Sequence, residues 1–268
     1  MLQKLATTFV VLLISFALLK QNNCSKAVFF GDSITEGVGA SSLSLKWSTL
    51  LAKNKGLCED NQAISATVLQ NTYPTLTNNG RDRYLNDVVR HYPEKVYILY
   101  GLNDLRYSGQ AFSVEKYKTD LREVVKGLLV SGIKRLNITI GSPPYVKPIA
   151  YHLYPEFNSG TPNKHRIYRD AAKSVAKEFG VRWADVYQDM INAGGDVLIS
   201  PDGIHPNDQG HKIIFASMAN AIPVNTYNVK PSTAQGLLQA LQAINIDYSI
   251  TKFQILSYQD YGHLLIMH

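Results

Sequence analysis

The sequence predicts an α/β fold: a three-layer α/β/α sandwich around a mostly parallel sheet of about five strands. Three observations carry that expectation. Short apolar runs alternate along the chain with segments of helical periodicity, the pattern of strands joined by right-handed crossover helices. Two of the runs, Ala27-Val28-Phe29-Phe30 and Val96-Tyr97-Ile98-Leu99-Tyr100, are continuous rather than alternating, as strands covered on both faces are. Chemistry-bearing residues follow directly after the runs, at the carboxyl ends of the predicted strands, where open α/β sheets bind ligands.

The first strand runs into Gly31-Asp32-Ser33-Ile34-Thr35-Glu36-Gly37. A strand breaking there can lift the Ser33 hydroxyl to the sheet edge, which makes Ser33 a candidate nucleophile; in the plainer reading Asp32 or Ser33 caps a helix. A small-residue loop, 38–45, leads to a helix beginning at 47–53 and stopped by Gly56. A short second strand is expected at 59–63, a helix at 83–92 before Pro93, and the third strand at 95–100, ending in Gly101-Leu102-Asn103-Asp104. Residues 114–130 form a strong helix with Leu121, Val124, Val125, Leu128 and Leu129 on one stripe. The fourth strand, 136–140, breaks at Gly141-Ser142-Pro143-Pro144, and an aromatic, proline-bearing loop occupies 145–162. A helix at 163–179 and a strand at 181–185 follow. A loop then delivers Asp202-Gly203-Ile204-His205-Pro206, and Asn207 or Asp208 caps a last helix reaching about 221. Beyond it the pattern changes to a linker at 224–232, a short helix at 235–243 and a hairpin at 248–268.

With 268 residues, 45% of them hydrophobic and 18% charged, the chain can bury the core of one sizeable domain. Its net charge of +6 comes from scattered Lys and Arg without a dense basic run, so no nucleic-acid partner is expected. Residues 1–20 carry one early lysine and an apolar core, 9–19, too short for an ordinary membrane span. They read as an export signal or an uncleaved N-terminal anchor; a membrane partner is expected only in the second case. Organisation follows as leader 1–25, main domain 26–222 and an extension of unassigned role, 223–268. Cys24 and Cys58 are the two cysteines; in an exported chain they can pair, and otherwise both stay unpaired or Cys24 leaves with the leader. No metal cluster is evident.

Taken together and in order, Gly31-Asp32-Ser33, Gly101-Leu102-Asn103-Asp104 and Asp202-Gly203-Ile204-His205 resemble the GDSL or SGNH hydrolase superfamily of esterases and lipases over about 26–221. The resemblance implies a flavodoxin-like SGNH fold, ester hydrolysis through an acyl-enzyme, and no cofactor. It assigns Ser33 as nucleophile, Asp202 and His205 as acid and base, and Asn103 as an oxyanion donor. Chemistry fits these roles: neutral imidazole can take the Ser33 proton, Asp202 can hold its tautomer, and the Ser33 N–H can be a second donor. The family's third donor comes from a glycine in its second block, and here Ala66 stands at that place, which keeps the N–H but adds a methyl. His211 reads as packing or exposed rather than as a second base. Tyr107 and Tyr145, with Tyr151, Tyr154 and Phe157, lie on loops expected to border the site. The expected substrate is a small-molecule or glycan ester, with a short acyl group such as acetyl on a polar scaffold. A lysophospholipase, lipase or thioesterase, or a non-catalytic glycan-binding module, is the alternative.

Overall fold

In the computed structural model, residues 24–224 are described. The expected leader core, the helix at 235–243 and the hairpin at 248–268 lie outside the described residues.

Six strands form one sheet: β1 (Lys26–Gly31), β2 (Cys58–Asn61), β3 (Lys95–Leu99), β4 (Ile138–Gly141), β5 (Arg182–Ala184) and β6 (Ile222–Pro223). Their spatial order is β2-β1-β3-β4-β5-β6, parallel except for β6. Gly31 pairs with Leu99, Leu99 with Gly141 and Gly141 with Ala184, so four strands end level with one another. The loops after them therefore emerge along one edge. The order reverses between β1 and β3, which puts the loops after these two strands on either side of the crevice where such sheets bind ligands.

The strand cores are apolar on both faces: Ala27, Val28, Phe29 and Phe30 are fully buried, and Phe29 packs between the rings of Trp47 and Tyr97. Eight α-helices are described. α2 (Trp47–Lys55), α7 (Val186–Asn192) and α8 (Asp208–Ala219) pack together; α3 (Gly80–Asp87), α5 (Val114–Val130) and α6 (Pro162–Phe179) form a second group. α5 has the expected bounds because its ends are written locally: the Ser113 hydroxyl accepts from the Lys116 N–H, and Leu121, Val124, Val125 and Leu128 make its buried stripe. α6 starts on a Thr161 cap with Pro162 in its first turn and stops at Gly180 in the left-handed conformation.

Four differences from expectation have physical causes. α4 (Leu102–Arg106) stands where a loop was expected, and α1 (Ser33–Glu36) is the helix that the capping reading of its stretch allowed; helices of one turn are too short to show a period. α3 starts at Gly80, because the Asn79 side chain accepts from the Asp82 N–H, and a separate 3₁₀ turn, Val89–His91, completes what was expected as one helix. β2 ends at Asn61, although Gln62 still donates to Phe29 O and Ile64 to Gly31 O beyond it. β6 pairs Pro223 with Arg182 at the sheet edge, one residue past the boundary expected at 222, where proline can sit because no further strand needs the N–H that it lacks.

Candidate active site

β1 has to turn sharply to present Ser33. A Cβ on Gly31 would lie 2.2 Å from Thr35 Oγ1 and 2.6 Å from Leu99 O, so only glycine fits under that turn. Asp32 then caps α1, its carboxylate accepting from the Ile34 N–H at 3.1 Å, and Ser33 is the first helical residue. Both readings of this stretch hold at once, the cap at Asp32 and the raised hydroxyl at Ser33. In first position, the Ser33 N–H has no partner within the helix.

The Ser33 hydroxyl meets a residue 172 positions away: His205 Nε2 lies 2.9 Å from Ser33 Oγ. His205 Nδ1 is 2.6 Å from Asp202 Oδ2, while Asp202 Oδ1 accepts from the N–H groups of Ile204 and His205 at 2.8 and 2.9 Å. One carboxylate therefore orients the imidazole and folds the turn that carries it. Desolvation pushes the Asp202 carboxyl upward, but these hydrogen bonds outweigh it and hold Asp202 below its ordinary value. The turn is fastened from outside as well. Lys147 N–H donates to Gly203 O at 3.0 Å, and Gly39 comes so close that a Cβ there would lie 2.2 Å from Pro206 O.

Asn103, on α4, is buried, and its Nδ2 donates to Thr67 O at 2.9 Å; Arg106 sits beside its Oδ1 at 3.5 Å. This orientation keeps the amide's donor end toward the segment that carries Ala66. Ala66 itself has φ of +61°, the left-handed region where a Cβ is strained, so the glycine expected there has been replaced at a position that favours glycine. Its N–H has no acceptor among the described residues.

Ser33, His205 and Asp202 thus form one hydrogen-bonded chain, and Asn103 is joined to the Ala66 segment through Thr67. Tyr107 and Tyr145 stand outside that chain. Tyr107 stacks on Phe112 and leans on Phe157, ring centroids 4.7 and 4.4 Å apart; the Tyr145 hydroxyl donates to Asp196 Oδ1 at 2.6 Å. Tyr151 is buried and its hydroxyl bonds His165 Nδ1, whereas Tyr154 is half exposed. His211 is a packing residue: buried, it accepts from Trp47 N–H and donates to Val38 O, and burial pushes it down to about 4.

Sequence reasoning passed over three charged residues that hold this site. Asp104 accepts from Leu69 and Gln70 N–H, Arg106 donates to Ala150 O as well as toward Asn103, and Glu36 accepts from Ser65. All three lie inside or beside the motifs; the missing signal is the partner, which is distant in sequence.

A parallel α/β/α sheet with this Ser–His–Asp chain at its carboxyl edge defines a hydrolase of the three-layer class. A profile of the GDSL-like Lipase/Acylhydrolase family matches residues 29–213, and the chain belongs to that family. An acetylxylan esterase from Xylanibacter ruminicola is 27% identical over 213 residues, covering 72% of this chain. The chain spans only 42% of that relative's length. Among solved structures, a lipase/acylhydrolase from Enterococcus faecalis superposes with a TM-score of 0.59 at 19% identity, covering 74% of this chain and 98% of its own. The acetylxylan esterase Axe2 from Geobacillus stearothermophilus does so with a TM-score of 0.55 at 18% identity, covering 83% and 95%. At these identities the superpositions establish the fold.

Proposed function

We propose that the protein is a serine esterase that removes short acyl groups, acetyl foremost, from a carbohydrate or similar polar scaffold. The observation that carries this reading is the unbroken hydrogen-bond chain from Ser33 through His205 to Asp202. Ser33 Oγ attacks the ester carbonyl carbon as its proton passes to His205 Nε2, and Asp202 stabilises the imidazolium that forms. The carbonyl oxygen gains a full negative charge, met by the N–H groups of Ser33 and Ala66 and by Asn103 Nδ2. Collapse expels the alcohol, which takes the proton back from His205. Water then repeats the sequence on the acyl-Ser33 ester and releases the carboxylic acid. Tyr107 and Tyr145, on the loops after β3 and β4, are proposed to border the scaffold.

The acetyl preference draws on the acetylxylan esterases among the similar proteins. Export draws on Cys24 and Cys58, which are disulfide-bonded, a bond that persists in oxidising compartments. The test is hydrolysis of p-nitrophenyl acetate, butyrate and octanoate and of acetylated xylo-oligosaccharides. We expect acetate to be preferred and Ser33→Ala or His205→Ala to lower kcat by about 10⁴-fold. Preference for octanoate would favour a lipase. A Ser33→Ala protein as active as the wild type would overturn the serine mechanism, and binding of glycan without turnover by the wild type would indicate a binding module.

A further inference from the structure

We infer that Glu36 is a positioning residue for the oxyanion-binding N–H of Ala66, an inference that rests on the esterase reading above. The turn from Ile64 to Thr67 is fastened at both ends by groups independent of Glu36. Ile64 N–H donates to Gly31 O at 3.1 Å, Thr67 Oγ1 donates to Ile64 O at 2.7 Å, and Thr67 O accepts from Asn103. Among the described residues, the middle of the turn has one hold. Glu36 Oε2 accepts both the Ser65 N–H, at 2.9 Å, and the Ser65 hydroxyl, at 2.5 Å. Glu36 lies at the end of the same four-residue helix that begins with Ser33, so one carboxylate couples the turn to the nucleophile's own helix.

The next residue is Ala66, at φ +61°. Left to itself an alanine prefers the right-handed region by roughly tenfold, whereas glycine has almost no preference. Where the family pattern has glycine, the backbone reaches this conformation unaided; here the side chain resists it, and the two charge-assisted bonds to Ser65 oppose that resistance. Without them the Ser65–Ala66 peptide populates its other orientation for about nine tenths of the time by the same preference, and the N–H is then directed away from the developing oxyanion. Ground-state binding of the ester does not use this N–H to the same extent, so the loss falls on kcat.

The test is a double-mutant cycle on the full chain with p-nitrophenyl acetate, read as kcat and KM separately, with Ser33→Ala alongside. We expect Glu36→Ala to lower kcat about tenfold with KM changed less than about twofold, and Glu36→Gln, which keeps a neutral acceptor, to fall between. Glu36→Ala made together with Ala66→Gly should lose no more than about twofold relative to Ala66→Gly alone, because glycine needs no hold. Equal losses in the two backgrounds, or a Glu36→Ala enzyme with unchanged kcat, would overturn the inference while an inert Ser33→Ala leaves the esterase reading standing. An active Ser33→Ala protein, or a wild type that hydrolyses neither this ester nor acetylated xylo-oligosaccharides, would overturn the reading and the inference with it.

Discussion

Asn103 shows how a single amide can serve two tasks. One of its N–H groups holds Thr67 O and the other is the proposed oxyanion donor, while Arg106 beside Oδ1 sets which end of the amide faces Thr67. Asn103→Ala is expected to lower kcat by about 10²–10³, the usual loss for one oxyanion donor, with a smaller change in KM. Steady-state kinetics on p-nitrophenyl acetate check this; a loss confined to KM would assign Asn103 to substrate binding instead. The residue itself was legible in Gly101-Leu102-Asn103-Asp104, because a motif names its residue types. The role of Arg106 was not, since a guanidinium three residues on reads as a surface charge until it is seen to be 2% exposed and bonded to Ala150 O.

At the scale of elements, the segment after β2 has no regular structure over 62–79 yet carries Ala66, a proposed oxyanion donor, so its shape is set by side chains borrowed from elsewhere. Glu36 from α1 holds Ser65, Asn103 from α4 holds Thr67, and the fully buried Asp104 from α4 accepts from Leu69 and Gln70 N–H. Asp104→Ala would leave those two backbone donors buried without acceptors and is expected to cost about 2–4 kcal/mol. Urea denaturation should show it as a lower midpoint; a loss below about 0.5 kcal/mol, typical of surface substitutions, would mean the segment is held by other contacts. In the sequence this stretch offered only a glycine position filled by alanine. Whether the methyl mattered depended on φ, and φ is set by Glu36 and Asn103, neither of which is a neighbour in the chain.

For the molecule as a whole, buried titrating groups pull stability in opposite directions with pH. Burial pushes Asp32 up to about 7 and Asp104 up to about 6, and pushes His165 and His211 down to about 4. A carboxyl whose folded value exceeds its unfolded one destabilises the fold once ionised, so this cost is absent below about pH 4 and complete above about pH 7 for Asp32. The two imidazoles do the reverse, costing stability as pH falls from 6.5 toward 4. Asp32→Asn should therefore gain stability over the wild type progressively from pH 4 to 7, on the order of 4 kcal/mol at the plateau, and should itself weaken as pH falls below 6.5. Thermal melts at unit pH intervals test this; a constant difference between the two proteins would show that Asp32 does not titrate in this range. The Cys24–Cys58 bond closes a separation of 34 residues and ties the chain ahead of β1 to the start of β2. Cys58→Ser is expected to cost about 2–4 kcal/mol in non-reducing buffer and nothing further in reducing buffer.

The sequence by itself determined the architecture and the chemical inventory. Continuous apolar runs, the helical stripe of Leu121, Val124, Val125 and Leu128, and three motifs at strand ends are local features, and local features are what a linear pattern records. Tertiary structure alone decided the short elements, α1, α4 and β6, which have too few residues for a period or depend on a neighbouring strand. It also decided that Cys24 pairs, that Ala66 takes a positive φ, and that Glu36, Asp104 and Arg106 act on partners far along the chain. These outcomes turn on which groups meet across the sheet edge, and that meeting is set by the register that brings β1, β3, β4 and β5 to end level.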